Sequence, residues 1–148
     1  MNVDAQMIEH MMEPKNYGSM ENADSEGIGK NPENGEKVAI YLQVAKERQE
    51  QTIKDIRFQA IGCSTTVVAG SMITEEAKGL SFARTEELID TTMKMLDGVP
   101  SEDAACSEMV VLALRAAKDT YLKRIEDEHY PAITYQITNN CVAKEERL

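Results

Sequence analysis

Three cysteines are the residues of this chain that are best suited to chemistry. Cys63, Cys106 and Cys141 are far apart in sequence and form no C-x-x-C pair, so their spacing predicts neither a zinc ribbon nor a dithiol redox motif. Their odd number argues against a disulfide scaffold. It fits a reducing compartment, in which thiols stay free or bind metal.

Cys63 has a local context that favours a thiolate. It follows Gly62 at the predicted junction of a strand with a helix, and Ser64-Thr65-Thr66 offers helix N-caps directly after it. Unpaired N–H groups at a helix N-terminus stabilise a negative sulfur, the form that ligates metal or accepts sulfur. A small buried residue that fills a gap in the core explains the same pattern equally well. The local sequence leaves both interpretations open.

The other candidate residues carry weaker signals. Cys106 also lies near a predicted helix start, but it is in register with an apolar helix face, which favours a packing role. His10 and His129 are distant from any cysteine in sequence, and we expect both to be solvated surface residues. The segment Gly27-x-Gly29-Lys30 lacks the full phosphate-loop spacing and follows no predicted strand, so we expect no nucleotide site there.

The elements that must position these residues follow from hydrophobic periodicity. Alternation with period two predicts strands over 38–44 and 53–60, joined as an antiparallel hairpin. A glycine-punctuated irregular stretch precedes them from 18 to 35. Helical spacing predicts four helices, over 3–12, 64–78, 85–95 and a last long one that begins at Ser101 or Cys106. The alternation at 133–137 predicts a late strand or an extended tail.

This order of elements predicts the fold class. Strands followed by helices indicate an α+β domain, in which helices pack on one face of a small antiparallel β-sheet. A length of 148 residues with 42% hydrophobic content favours one domain with a genuine core.

The charge excludes some classes of partner. The chain holds 26 acidic and 16 basic residues, a net charge of −10, which argues against nucleic acid or anionic membranes as partners. No apolar run approaches the roughly 20 residues of a membrane span, and the N-terminus is unlike a secretory signal, so we expect a cytoplasmic protein. The acid is concentrated in residues 1–36, with eight acids and two bases, and in residues 84–108, with seven acids and two bases.

Four segments resemble, in order, the IscU/NifU-type scaffold proteins of iron–sulfur cluster assembly over roughly residues 5–125. The most specific is IKDIRFQAIGCSTTVVAGSMITEEAKG, which is similar to the strand, cysteine loop and helix of the family's second ligand. The others are EHMMEPKNYGSMENAD, GKNPENGEKVAIYLQV and ACSEMVVLALRAAKDTY. The resemblance implies a scaffold domain over 1–127 and a C-terminal extension over 128–148, as an added strand or a mobile tail.

The resemblance also implies a function. Such scaffolds receive iron, and sulfur from a cysteine desulfurase, assemble a cluster transiently and pass it to acceptor apo-proteins. They are carriers and not enzymes with turnover. Matching by position gives Cys63 and Cys106 as ligands, with Glu36 where the family usually has Asp. Zinc sometimes occupies the same place in the family.

The chain departs from the family pattern at three places. Asn34 stands where the first ligand cysteine is expected, and Ala105 stands where many members have His. The segment 99–103, Val-Pro-Ser-Glu-Asp, replaces the family's Leu-Pro-Pro-Val-Lys, which argues against docking of the partner chaperone. Two thiolates cannot supply the usual four of a cluster. Either Glu36 and an outside ligand complete the site, or this member no longer builds clusters.

Two further points stay open. Cys141 could replace the lost thiol if the tail folds back, although an incidental thiol is the default. Acidic residues around Cys106 and Glu36 favour a bare cation over an anionic cluster, which predicts a site for metal ions or a quickly released cluster. Alternative functions are an interaction module that docks on a cysteine desulfurase, and a zinc-bound sulfur-relay protein.

Overall fold

The chain folds into four helices and five strands in the computed structural model, which describes residues 5–47, 50–62, 64–96, 101–137 and 144–146. In chain order the elements are α1 Ala5–Met12, β1 Ser25–Lys30, β2 Lys37–Glu47, β3 Glu50–Ile61, α2 Ser64–Ala77, α3 Phe82–Leu96, α4 Ser101–Glu126, β4 Ile133–Gln136 and β5 Lys144–Glu146. Helix α4 therefore begins at Ser101, the earlier of its two predicted starts.

The strands form one sheet in the order β3-β2-β1-β4-β5. The predicted hairpin is confirmed, because β2 and β3 pair antiparallel with Lys37 opposite Ile61. Strand β1 pairs antiparallel with β2, and Gly29 lies opposite Val38. The α+β class, with helices packed on one face of the sheet, is confirmed.

The sheet differs from the expected all-antiparallel sheet in one respect. Strand β4 pairs parallel with β1, with Gly27 opposite Ile133, and β5 then pairs antiparallel with β4. Helix α4 runs antiparallel to β1, so its C-terminus reaches the end of the sheet at which β1 begins. Strand β4 starts from that end and must run in the same direction as β1. The sheet is therefore mixed.

Strand β1 lies inside the stretch that the sequence predicts to be irregular, so that prediction is wrong for 25–30. A methyl group at Gly27 would lie 2.0 Å from the backbone N of Ala117, and one at Gly29 would lie 2.0 Å from the backbone O of Met109. Only glycine allows α4 to approach β1 this closely. These glycines mark helix–strand contact, and the hydrophobic alternation of a strand is missing because they occupy its buried face.

The core lies between the sheet and the helices. The period-two prediction for β2 is correct, because Val38, Ile40 and Leu42 are fully buried. Ile56 and Phe58 of β3 are buried beside them, and α4 contributes a buried surface that includes Met109, Val110, Leu112, Ala113 and Ala117. Within the described ranges, no helix is both long enough and apolar enough to cross a membrane.

The contact between α4 and β1 gives a direct test. We expect Gly27→Ala and Gly29→Ala each to lower the free energy of unfolding by about 3 kcal/mol or more, because the new methyl group meets backbone that cannot move aside. Urea denaturation followed by circular dichroism measures the change. Glu26→Ala is the control, since alternation along the strand places this side chain on the opposite face of β1. Unchanged midpoints for both glycine variants would contradict the close contact.

Candidate functional site

Three segments converge at one end of the sheet. The loop 31–36 joins β1 to β2 there. Strand β3 ends beside it, because Ile61 pairs with Lys37, the first residue of β2. The junction between β3 and α2, which contains Cys63, therefore lies next to the loop that contains Glu36.

Helix α4 brings Cys106 to the same end. Gly27 of β1 faces Ala117 of α4, and Gly29, two residues later in the strand, faces Met109, eight residues earlier in the helix. Because a strand rises about 3.3 Å per residue and a helix about 1.5 Å, continuing this run brings the end of β1 level with the first turns of α4. Cys106 lies in the second turn and is 9% exposed.

The carboxylate of Glu36 lies against the β3–α2 junction. A methyl group at Gly62 would lie 3.3 Å from Cδ and 3.4 Å from Oε2 of Glu36, and 3.2 Å from Oγ1 of the buried Thr66. Glycine at this position thus leaves room for the carboxylate directly before Cys63. Cys63 itself lies outside the described residues.

Cys141 also lies outside the described residues, but the residues that flank it are informative. The backbone N–H of Ile137 donates to the carbonyl oxygen of Lys30 at 3.0 Å. On the return, Lys144 pairs with Gln136, which itself pairs with Lys30. The described chain on both sides of Cys141 is therefore at the end of the sheet where the loop 31–36 begins.

Two residues at this end were not recognised as important from sequence. Asn31 is 8% exposed, and its backbone N–H donates to the carbonyl oxygen of Glu36 at 2.8 Å, which closes the loop. The signal was the turn chemistry of Asn-Pro-Glu-Asn-Gly. Glu108, two residues after Cys106, is 3% exposed. From its sequence context this residue is expected only to add to the acidic charge around Cys106.

The acidic segment 84–108 is partly neutralised by α4. Lys118 pairs with Glu86 across the α3–α4 contact, and Arg115 pairs with Asp90 at 3.5 Å. Two acidic residues of this segment, Glu86 and Asp90, therefore form ion pairs between α3 and α4. The side chains of Glu102 and Asp103 lie outside the described residues.

His10 corrects a prediction, because it is 3% exposed and not solvated. Its Nδ1 lies 2.6 Å from Oγ of Ser71, and its Nε2 lies 3.3 Å from Oε2 of Glu75. The backbone N–H of Lys15 donates to the same Ser71 oxygen at 2.7 Å. This buried cluster joins α1 to α2. His129 is exposed, as expected.

Cys106 and Glu36 lie at this end of the sheet, and Cys63 directly follows Gly62 in the sequence. Two thiols with a carboxylate fit iron or zinc better than magnesium or calcium, which prefer sites built only from oxygen. Among the described residues, no three His, Cys, Asp or Glu side chains form a metal-binding group. Tyr41 is not part of this group of donors, because its side chain lies on the face of the sheet opposite the helices. Burial, and to a smaller extent the negative charge of Glu26, raise the pKa of Tyr41.

Comparison with known families gives a match over most of the chain. Residues 3–128 match the NifU-like N-terminal domain. The iron–sulfur cluster assembly scaffold protein IscU 1 of Archaeoglobus fulgidus is 34% identical over 119 residues, which cover 80% of this chain and 75% of that protein. The iron–sulfur cluster assembly scaffold protein IscU of Escherichia coli is 28% identical over 124 residues, which cover 81% and 94%.

Solved structures share the fold. A putative iron–sulfur cluster assembly scaffold protein for the SUF system from Fervidobacterium islandicum superposes with a TM-score of 0.64 at 18% identity, over 78% of this chain and 95% of that one. The N-terminal part of a nitrogen-fixing NifU-like protein from Brucella abortus gives 0.65 at 13% identity, over 82% and 94%.

The position of the Glu36 carboxylate gives a second test. We expect Gly62→Ala to weaken Zn²⁺ binding, because the new methyl group would lie 3.3 Å from Cδ of Glu36 and would shift the carboxylate by a few tenths of an ångström. Titration with a competing chelator measures the affinity, and we expect a loss of about three- to tenfold, the range of one weakened ligand contact. Lys54→Ala, an exposed change on β3, is the control. Wild-type affinity in Gly62→Ala would show that the contact between Gly62 and the Glu36 carboxylate does not determine Zn²⁺ binding.

Proposed function

Because the chain belongs to the NifU-like N-terminal domain family, we propose that it is an iron–sulfur cluster assembly scaffold, which binds iron or a labile cluster and passes it on. The observation that carries the proposal is the convergence of the loop 31–36, the β3–α2 junction and the first turns of α4 at one end of the sheet. The scaffold function named for relatives such as IscU of Escherichia coli supports it.

Three residues form the proposed site. Cys63 and Cys106 supply thiolates and Glu36 supplies a carboxylate. Two features support these assignments: the Glu36 carboxylate lies against Gly62, and the antiparallel run of α4 along β1 brings Cys106 to the same end. Thiolates are the usual ligands of the iron atoms in a cluster, while a carboxylate is a harder ligand than the thiolate it stands beside. Such a site holds a cluster more weakly than four thiolates would. Zinc is a further occupant that these donors fit.

The protein acts as a carrier without turnover in this proposal. A cysteine desulfurase supplies sulfur, and acceptor apo-proteins receive the cluster. The net charge of −10 supports a protein that binds neither nucleic acid nor membrane, and the cytoplasm is its compartment in this proposal. The scaffold domain is residues 1–127, and the extension over 128–148 adds strands β4 and β5 to the sheet beside β1.

Anaerobic reconstitution with ferrous iron and sulfide tests the function. We expect sulfur-to-iron charge-transfer absorption together with stoichiometric iron and sulfide in the wild-type chain. Cys63→Ser and Cys106→Ser should each lose most of this absorption, because each removes one of two thiolates. Absence of both absorption and bound metal in the wild-type chain would overturn the proposal and favour the interaction module. Stoichiometric zinc without a cluster would favour the sulfur relay.

Cys141→Ser in the same assay tests the third thiol. We expect loading equal to that of the wild-type chain, because the proposed site consists of Cys63, Cys106 and Glu36. A fall in loading would instead show that Cys141 replaces the missing family cysteine.

The missing family cysteine provides a gain-of-function test. We expect Asn34→Cys to retain a reconstituted cluster several-fold longer against a chelator, because a third thiolate outweighs the loss of the hydrogen bond that Asn34 Oδ1 accepts from the N–H of Glu36. Decay of the charge-transfer absorption measures retention. Glu33→Cys, which places a thiol one residue away, is the matched control. Equal retention by the two variants would show that position 34 is not a ligand position in this chain.

A further inference from the structure

Asn34 occupies the place of a family ligand, and the structure gives its side chain another role. Its Oδ1 accepts a hydrogen bond of 3.0 Å from the backbone N–H of Glu36. This contact spans two residues and fixes the direction in which the chain leaves the turn. A cysteine has no comparable acceptor, since its sulfur is a weak one.

The rest of the loop is held by its own hydrogen bonds. The carbonyl oxygen of Asn31 accepts from the N–H of Gly35 at 3.0 Å, and the Oδ1 of Asn31 accepts from the N–H of Glu33 at 3.0 Å. Gly35 has a φ of +75°, a conformation that glycine adopts without strain. The backbone N–H of Asn31 donates back to Glu36. The loop therefore has a shape that its own hydrogen bonds define.

This shape determines where the carboxylate of Glu36 lies. With its N–H held by Asn34 and its carbonyl oxygen held by Asn31, the backbone of Glu36 is fixed on both sides. Its side chain then extends across the sheet end to Gly62. A carboxylate that is already in place binds a metal with less loss of conformational entropy than a mobile one.

We propose that Asn34 is a positioning residue for Glu36, so that the chain has exchanged a thiolate ligand for an amide that orients a carboxylate ligand. This inference rests on the proposed function, because it assumes that Glu36 binds the metal. It assigns to Asn34 no direct contact with the metal.

Zn²⁺ alone, measured by competition with a chelator, is the probe. We expect Asn34→Ala to weaken Zn²⁺ binding by about three- to tenfold, the range that one hydrogen bond is worth. Asn34→Ser should recover most of the affinity, because its hydroxyl accepts the same type of bond without adding charge. In a Glu36→Gln background, Asn34→Ala should have no further effect, since the residue acts only through that carboxylate.

Hydrogen exchange in the metal-free protein provides a readout that does not depend on binding. The Glu36 amide should exchange several-fold faster in Asn34→Ala than in the wild-type chain, and Asn34→Ser should restore its protection. A full effect of Asn34→Ala on Zn²⁺ binding in the Glu36→Gln background would overturn the inference. So would wild-type affinity in Asn34→Ala when Glu36→Gln alone weakens binding. Zn²⁺ binding that survives Cys63→Ser, Cys106→Ser and Glu36→Gln unchanged would instead overturn the proposed function.

Discussion

The close contact between α4 and β1 is the constraint on which the rest of the structure depends. Gly27 and Gly29 present bare backbone to the helix, and the backbone of α4 lies where any side chain would stand. Helix α4 is consequently buried on almost every side, against the sheet, α2 and α3. The backbone atoms in this contact determine the direction of α4 and its position along β1. The contact therefore positions both ends of the helix.

The candidate site is a consequence of that placement. Glu36, Cys63 and Cys106 are separated by tens of residues in sequence, and no local pattern joins them. The hairpin register places the loop of Glu36 beside the β3–α2 junction, and the run of α4 along β1 adds the turn that carries Cys106. A site assembled from three separate segments can respond to changes in any one of them. This suits a protein that must hold its cargo and then release it.

The other end of α4 explains the C-terminal extension. The N–H of Ile133 donates to Oγ1 of Thr120 at 3.0 Å, and the hydroxyl of Tyr135 donates to Oδ2 of Asp119 at 2.5 Å. These contacts attach β4 to the helix while it pairs with β1. The strand then carries the chain back toward the loop 31–36, where Ile137 contacts Lys30. A segment beyond the matched family domain is thus integrated into the sheet.

The sequence by itself determined the α+β class, the β2–β3 hairpin and the four helices, because hydrophobic periodicity and turn residues are local signals that report which side of an element is buried. The resemblance of four sequence segments to known scaffold proteins identified the family. Only the tertiary structure decided the strand β1, the parallel pairing of β4, the burial of His10 and the role of Asn31. Each of these depends on a partner far away in sequence: Gly27 is explained by Ala117, and His10 by Ser71. A local sequence pattern does not show that a glycine is required because the backbone of a distant residue packs against it.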